Sequence, residues 1–218
     1  MDAVSGAGDA VIDADLPVRS PPFHPTRTAS VAGVVLAAGT SSRYGDANKL
    51  LARVDGEPIV TRAVRTYLDA PVDPIVAVVG HEAGRVRTAL PDGVRVVHNP
   101  DYADGQAASV RTGVAAVPPD ADAAVVGLGD MPFVRSETVT RLVRAFRAGA
   151  GDPLAAAVDG RRGNPVCFGS RWFDALRGVA GDVGGRGILL SAPDAALVET
   201  GDPGVHRDVD RPSDLDAA

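Results

Sequence analysis

Lysine is almost missing from this chain: among 22 lysines and arginines, Lys49 is the single lysine. A composition that uses arginine everywhere else makes this one compact ammonium informative, because a small rotatable point charge meets a phosphate differently from a planar guanidinium. Cysteine is equally scarce. Cys167 alone excludes an internal disulfide and a cysteine-based zinc site, and it suits a reducing compartment, read as the cytoplasm. No apolar run approaches the roughly 18 residues that cross a bilayer, and residues 1–30 lack the basic start and apolar core of a signal peptide. A surplus of positive charge is also absent. The formal net charge of -6 argues against sequence-independent binding to a nucleic-acid backbone, which needs clustered cations to neutralise phosphates. Any phosphate contact must therefore be local.

The 218 residues suffice for one sizeable α/β core. Residues 1–30, with Pro17, Pro21, Pro22 and Pro25 among small and acidic residues, read as a flexible leader, and residues 31–218 as one domain. From Val31 onward short apolar runs alternate with amphipathic stretches. Val31 to Leu36, Ile75 to Val79, Val94 to Val97, Ala123 to Leu128 and Leu154 to Val158 predict strands. Pro58 to Leu68, Glu82 to Leu90, Ala107 to Val117 and Ser136 to Ala148 predict helices, with Ser136 as an N-cap. This order predicts a three-layer α/β fold with a doubly wound, mostly parallel sheet, whose ligands gather beyond the carboxyl ends of the strands. The glycine-dense stretch from Gly178 to Gly187 reads as a mobile loop, Pro193 to Val198 as a late strand, and Arg207 to Leu215 as a closing segment.

Three segments carry chemistry. In VVLAAGTSSRYGDANKLL, Val34 to Leu51, an apolar strand opens into a loop of small residues followed by Arg43, Gly45 and Lys49. Small residues let backbone N–H groups approach a phosphate, and two cations in one loop can neutralise a triphosphate. The spacing matches neither G-x-x-x-x-G-K-[ST] nor G-x-G-x-x-G, which disfavours a Rossmann oxidoreductase. In Gly127-Leu128-Gly129-Asp130-Met131-Pro132 a strand ends at a carboxylate, which suits Mg2+: this cation takes one or two carboxylates and completes its shell with water and substrate phosphates. Near the C-terminus, His206 to Leu215 sets Asp208 and Asp210 on one side if the segment is extended. Asp210 is favoured as a second metal ligand, although residue pattern alone leaves Asp208 open. The remaining histidines lack metal-ligand spacing, and Trp172 and Phe173 read as packing residues.

Together these segments resemble the MobA-like nucleotidyltransferase superfamily. Leu36 to Gly45 with Lys49 is similar to its L-A-[AG]-G-x-S-x-R-[ML]-G…K signature, with Tyr44 in place of methionine or leucine. Gly129 to Pro132 resembles its G-D-M-P motif, and Asp208 to Leu215 its D-[IV]-D-T-P-x-D-L ending, with Arg211 for threonine. Asn99 to Arg111 resembles the family's N-x-x-x-x-G-x-x-x-S-[LV] stretch, with one residue more between Asn99 and Gly105. Gly163-Asn164-Pro165 and Gly181 to Arg186 resemble acceptor-side motifs of the branch that cytidylylates molybdopterin.

The resemblance implies a Rossmann-like nucleotidyltransferase fold. It implies that Arg43 and Lys49 bind triphosphate oxygens, and that Leu36, Ala37, Ala38 and Gly39, with Gly105 and Ser109, contact the nucleotide. Gly163, Asn164, Asp182 and Arg186 face the acceptor, with Arg186 equally readable as a solvated loop arginine. Mg2+ sits on Asp130 with Asp210 or Asp208. Ala38 matches the L-A-A-G form of cytidylyl members, which implies CTP and a phosphorylated pterin, molybdopterin, as substrates, and a molybdoenzyme apoprotein as a possible partner. The alternatives are a guanylyltransferase using GTP, a more distant sugar-phosphate or alditol-phosphate nucleotidyltransferase, and a nucleotide-responsive chaperone without turnover. Pyrophosphate release separates the chaperone from the enzymes.

Overall fold

The computed structural model describes residues 16–42, 44–45, 47–181 and 184–215. In chain order these form strand β1 (Val18–Arg19), β2 (Val31–Ala37), a short hairpin of β3 (Arg53–Val54) and β4 (Glu57–Pro58), helix α1 (Ile59–Leu68), β5 (Ile75–Val79) and α2 (Ala83–Ala89). There follow β6 (Val94–His98), α3 (Gln106–Ala115), β7 (Ala123–Leu128), α4 (Ser136–Arg147), β8 (Leu154–Val158), β9 (Arg161–Gly169), α5 (Phe173–Arg177), α6 (Arg186–Ser191) and β10 (Ala196–Glu199).

Eight strands form one sheet in the order β1-β10-β8-β9-β7-β2-β5-β6. Every pairing is parallel except those of β9, which runs antiparallel to β7 and β8. The continuous apolar run of β2 is explained by helices on both faces. Val31, Val35 and Ala37 pack with Val60, Val64, Leu142 and Phe146 of α1 and α4. Ala32, Val34 and Leu36 pack with Val110, Val114, Leu176 and Leu189 of α3, α5 and α6. A strand buried on both sides loses the apolar and polar alternation of a half-exposed one. The chain steps from β2 outward to β5 and β6, then returns to β7 on the other flank of β2. This reversal opens a crevice at the carboxyl ends of β2 and β7.

The fold matches the expected three-layer, mostly parallel sheet, with differences that have local causes. Strand β9 has no counterpart in the expected elements: its arginines, Gly163, Asn164 and Pro165 hide a strand that period and propensity do not signal. Ser136 is the first helical residue rather than the N-cap, which is Arg135. The amide and hydroxyl at this end are served from elsewhere, by Asp202, which accepts from Arg135 N (2.8 Å) and Thr138 Oγ1 (2.6 Å). The glycine-dense stretch closes into α6 from Arg186, and its start is tied to α3 by Ala107 N to Gly181 O (3.0 Å) and Arg111 Nη1 to Val179 O (2.8 Å).

The leader reading of residues 1–30 also changes. Residues 1–15 lie outside the described residues, whereas Val18–Arg19 pairs with β10, Thr26 N donates to Arg147 O at 3.1 Å, and Arg27 stacks over Phe146 at 4.4 Å. Arg147 in turn donates to Ala29 O. Residues 16–30 therefore belong to the packed body.

Candidate active site

The loop after β2 presents Lys49 through a chain of hydrogen bonds. Ser41 adopts a left-handed conformation, with φ of 58°, and its hydroxyl accepts Lys49 N at 3.1 Å while donating to Asn48 Oδ1 at 3.3 Å. The same Asn48 oxygen accepts Leu50 N at 3.0 Å, so Asn48 caps a 3₁₀ turn over Lys49–Leu51 whose Leu50 is buried in the core. Anchoring the neighbour on each side leaves the Lys49 side chain to enter the crevice.

Asp130 arrives from the other flank. Gly129 N donates to Leu36 O at 2.8 Å, and a Cβ at Gly129 would stand 2.9 Å from that of Ala37, so glycine allows the two strand ends to meet. Lys49 Nζ lies 2.7 Å from Asp130 Oδ2 and 2.7 Å from Asp210 Oδ1, joining a residue from each of three distant segments. The three side chains are 12%, 20% and 32% exposed. Burial works against the charged ammonium, but Asp130 and Asp210 outweigh it, and Lys49 holds its proton above the ordinary lysine range. Burial also pushes the Asp130 carboxyl above its usual range; Lys49 pulls it back in part, and Asp208 adds to the rise.

Asp130 meets Lys49 through Oδ2. Its other oxygen, Oδ1, is buried without a hydrogen-bond partner. An uncompensated carboxylate oxygen beside a second carboxylate fits a hard divalent cation, which needs only one or two such ligands when phosphates supply the rest. Among the described residues no group of three or more His, Cys, Asp or Glu is placed to hold a metal ion. The pair is therefore suited to sharing a cation with substrate rather than caging it.

The crevice has three connected lobes. The first, of about 270 Å³, is bounded by Leu36, Ala37, Gly39, Thr40, Ser41, Lys49, Asp130 and Asp210. The second, of about 300 Å³, shares Leu36, Gly39, Thr40 and Asp130 with it and adds Ala38, Tyr102, Gly105, Gln106 and Ser109. The third, of about 340 Å³, continues from Leu36, Gln106 and Leu128 to Val110, Arg162, Asn164, Phe168 and Arg186. Most of the expected site residues thus line one surface. Ser109 is steadied by Asn99, whose Nδ2 donates to its hydroxyl at 3.1 Å.

Arg43 and Asp182 lie outside the described residues. Gly163 lines none of the three lobes; a Cβ there would come within 2.3 Å of Val205 O, which makes it a packing glycine. Asp208 is exposed and lines none of them either, although its charge reaches Asp130. Sequence reasoning missed Gln106, Tyr102, Thr40 and Arg162. Gln106 and Arg162 each adjoin an assigned motif residue, yet neither residue type announces a ligand contact.

Comparison with known proteins matches the MobA-like NTP transferase domain over residues 33–196. Nicotine blue oxidoreductase of Paenarthrobacter nicotinovorans is 32% identical over 188 residues, covering 83% of this chain and 92% of that protein. The purine catabolism protein PucB of Bacillus subtilis (strain 168) is 32% identical over 204 residues, covering 87% and 96%. The crystal structure of Rv0371c from Mycobacterium tuberculosis H37Rv superposes with a TM-score of 0.76 at 30% identity, over 87% of this chain and 98% of that one. Rv0371c has also been solved as a complex with manganese, which is 28% identical with a TM-score of 0.73 over 86% and 97% of the two chains. The family match runs from the first central strand through the loop, the Asp130 turn, residues 163–165 and residues 181–186, and so the chain belongs to the MobA-like NTP transferase family and is a nucleotidyltransferase.

Proposed function

We propose that the chain transfers CMP from CTP to the terminal phosphate of molybdopterin, releasing pyrophosphate. The observation that carries this reading is the Lys49 ammonium set between Asp130 and Asp210 in the first lobe, with Asp130 also lining the second. An acceptor phosphate oxygen attacks the α-phosphorus, the bond from that phosphorus to the bridging α-β oxygen breaks, and pyrophosphate leaves with the electron pair. Asp130 with Asp210 or Asp208 would hold a Mg2+ ion, which would supply charge neutralisation for the reacting phosphates. Lys49, fully protonated, and Arg43 draw the β- and γ-phosphates into the first lobe and stabilise the charge that grows on them. Leu36, Ala37, Ala38 and Gly39 with Gly105 and Ser109 seat the nucleoside, while Asn164 and Arg186 face the acceptor, a role that the resemblance extends to Asp182.

Two features support these substrates. Ala38, which lines the second lobe, gives the loop the L-A-A-G form that resembles the cytidylyl members. The third lobe joins an apolar wall of Val110, Val166 and Phe168 to two guanidinium groups, a lining that suits a ring system carrying a phosphate. Initial rates of pyrophosphate release with CTP, GTP, ATP and UTP, each with molybdopterin, test the reading. CTP is expected to exceed the others at least tenfold. A preference for GTP overturns the nucleotide assignment, and no pyrophosphate from any of them overturns the enzyme.

A further inference from the structure

Asp210 belongs to a strap, Arg207 to Leu215, whose regular structure is a single 3₁₀ turn at Pro212–Leu215. A carboxylate on so irregular a segment needs external restraint to meet a cation reproducibly. Three contacts provide it. Arg207 stacks over Phe133 at 4.0 Å. Val209 is fully buried with Val54 and Ile59, and its N–H donates to Asp130 O at 2.9 Å, which ties the strap to the strand end that carries the other acid. Beyond it, Asp214 Oδ2 accepts the N–H groups of both Asp210 (2.9 Å) and Arg211 (2.7 Å).

Asp214 lines none of the three lobes of the crevice. Its reach into the site runs through the Asp210 backbone, by charge-assisted bonds that are stronger than neutral ones. The geometry points to Asp214 as a positioning residue of the cation site: by accepting both N–H groups it holds the Asp210 carboxylate against Lys49 and beside Asp130. This rests on the proposed function, which places a divalent cation there. The strap's outer side faces solvent, so without Asp214 water can take over both N–H groups. The fold then loses little, while Asp210 loses its fixed direction. Groups that orient ligands from behind carry a large share of metal affinity.

The test is a titration of the full chain with Mn2+ alone, following free Mn2+ by electron paramagnetic resonance, with thermal melts in parallel. Wild type is expected to bind and Asp130→Asn to lose binding. Asp214→Ala should bind Mn2+ about 10- to 100-fold more weakly with a melting temperature within a few degrees of wild type. Asp214→Asn keeps an acceptor oxygen and should recover most of the affinity. If Asp214→Ala fails to fold, Asp214→Glu carries the same test, because it keeps the charge and displaces the acceptor by one methylene; it should bind several-fold more weakly. Wild-type affinity in Asp214→Ala, or in Asp214→Glu when that variant carries the test, overturns the positioning role. When wild type binds and Asp130→Asn does not, that result leaves the proposed site standing. A wild type that binds no Mn2+ overturns the cation site and this inference with it.

Discussion

Lys49 is less a free phosphate hook than the cation that neutralises two acids before any substrate arrives. Its side chain is 12% exposed, with the ammonium bonded to both Asp130 and Asp210. Replacing it leaves those carboxylates facing each other without a cation, at a cost of about 1–3 kcal/mol, or several degrees of melting temperature. Lys49→Ala should therefore melt lower than wild type in metal-free buffer and recover more than wild type on adding Mg2+. Its turnover should fall about 10²- to 10³-fold, equivalent to roughly 3–4 kcal/mol of transition-state stabilisation. Calorimetry with and without Mg2+ and a pyrophosphate assay check both halves. The sign with pH follows from the raised lysine pKa: the stabilisation is complete below the ordinary value near 10.4 and is lost as pH rises through the higher folded value. The stability gap between wild type and Lys49→Ala should stay level from neutral pH into the alkaline range and narrow only above it. Asp130 works in the opposite sense. Its folded pKa is raised, so the folded state tolerates the protonated acid better than the charged one, and that benefit disappears as pH rises. Metal-free Asp130→Asn should then match or exceed wild type in melting temperature at neutral pH, lose that advantage as pH falls towards the ordinary carboxylate range, and lack most of the turnover. A neutral-pH loss of several degrees would assign Asp130 a structural role.

Among the elements, the segment before β2 changes what can be removed. Residues 16–30 contribute the edge strand β1, the partly buried Leu16 and Phe23, and the contacts of Thr26 and Arg27 with the end of α4. Deleting residues 1–29 should cost about 2–3 kcal/mol of apolar burial and hydrogen bonding, lowering the melting temperature by about 5–10 °C with little effect on the nucleotide KM. An unchanged melt would return the whole segment to a leader. This is also the scale on which the sequence was hardest to read. The central strands and the helices between them were legible because their apolar runs are long and carry the right period, as in α4, where Val139, Leu142, Val143 and Phe146 form one buried face. Strand β1 is two residues among prolines, and β9 gains its place from pairing with β7 and β8 rather than from any pattern of its own. Tertiary pairing of that kind leaves no local signal.

For the molecule as a whole, the doubly wound topology brings Lys49, Asp130 and Asp210 together, although as many as 161 residues separate them along the chain. The polar half of the site was legible because unusual residues mark it: the single lysine, a carboxylate after a strand, two acids spaced by one. Gln106, Arg162 and the apolar wall of the third lobe were not, because their side chains become ligand-facing only once β9 and α3 are folded around them. The assembled crevice also decides between two chemistries. Nucleotidyl transfer can pass directly to the acceptor or through a nucleotidyl-lysine, and Lys49 is the one lysine available for the second route. A nucleophilic lysine must shed its proton, which needs a lowered pKa. Lys49 is held the other way by two carboxylates, so it stays an ammonium with no lone pair to offer. On the proposed function the lobes take nucleotide and acceptor side by side, where a single in-line displacement suffices. Incubation with α-labelled CTP and no acceptor should leave no label on acid-precipitated protein, and transfer from a CTP analogue chiral at the α-phosphorus should invert that centre. Retention, or a label that survives precipitation and vanishes in Lys49→Ala, would establish the two-step route and make Lys49 its nucleophile.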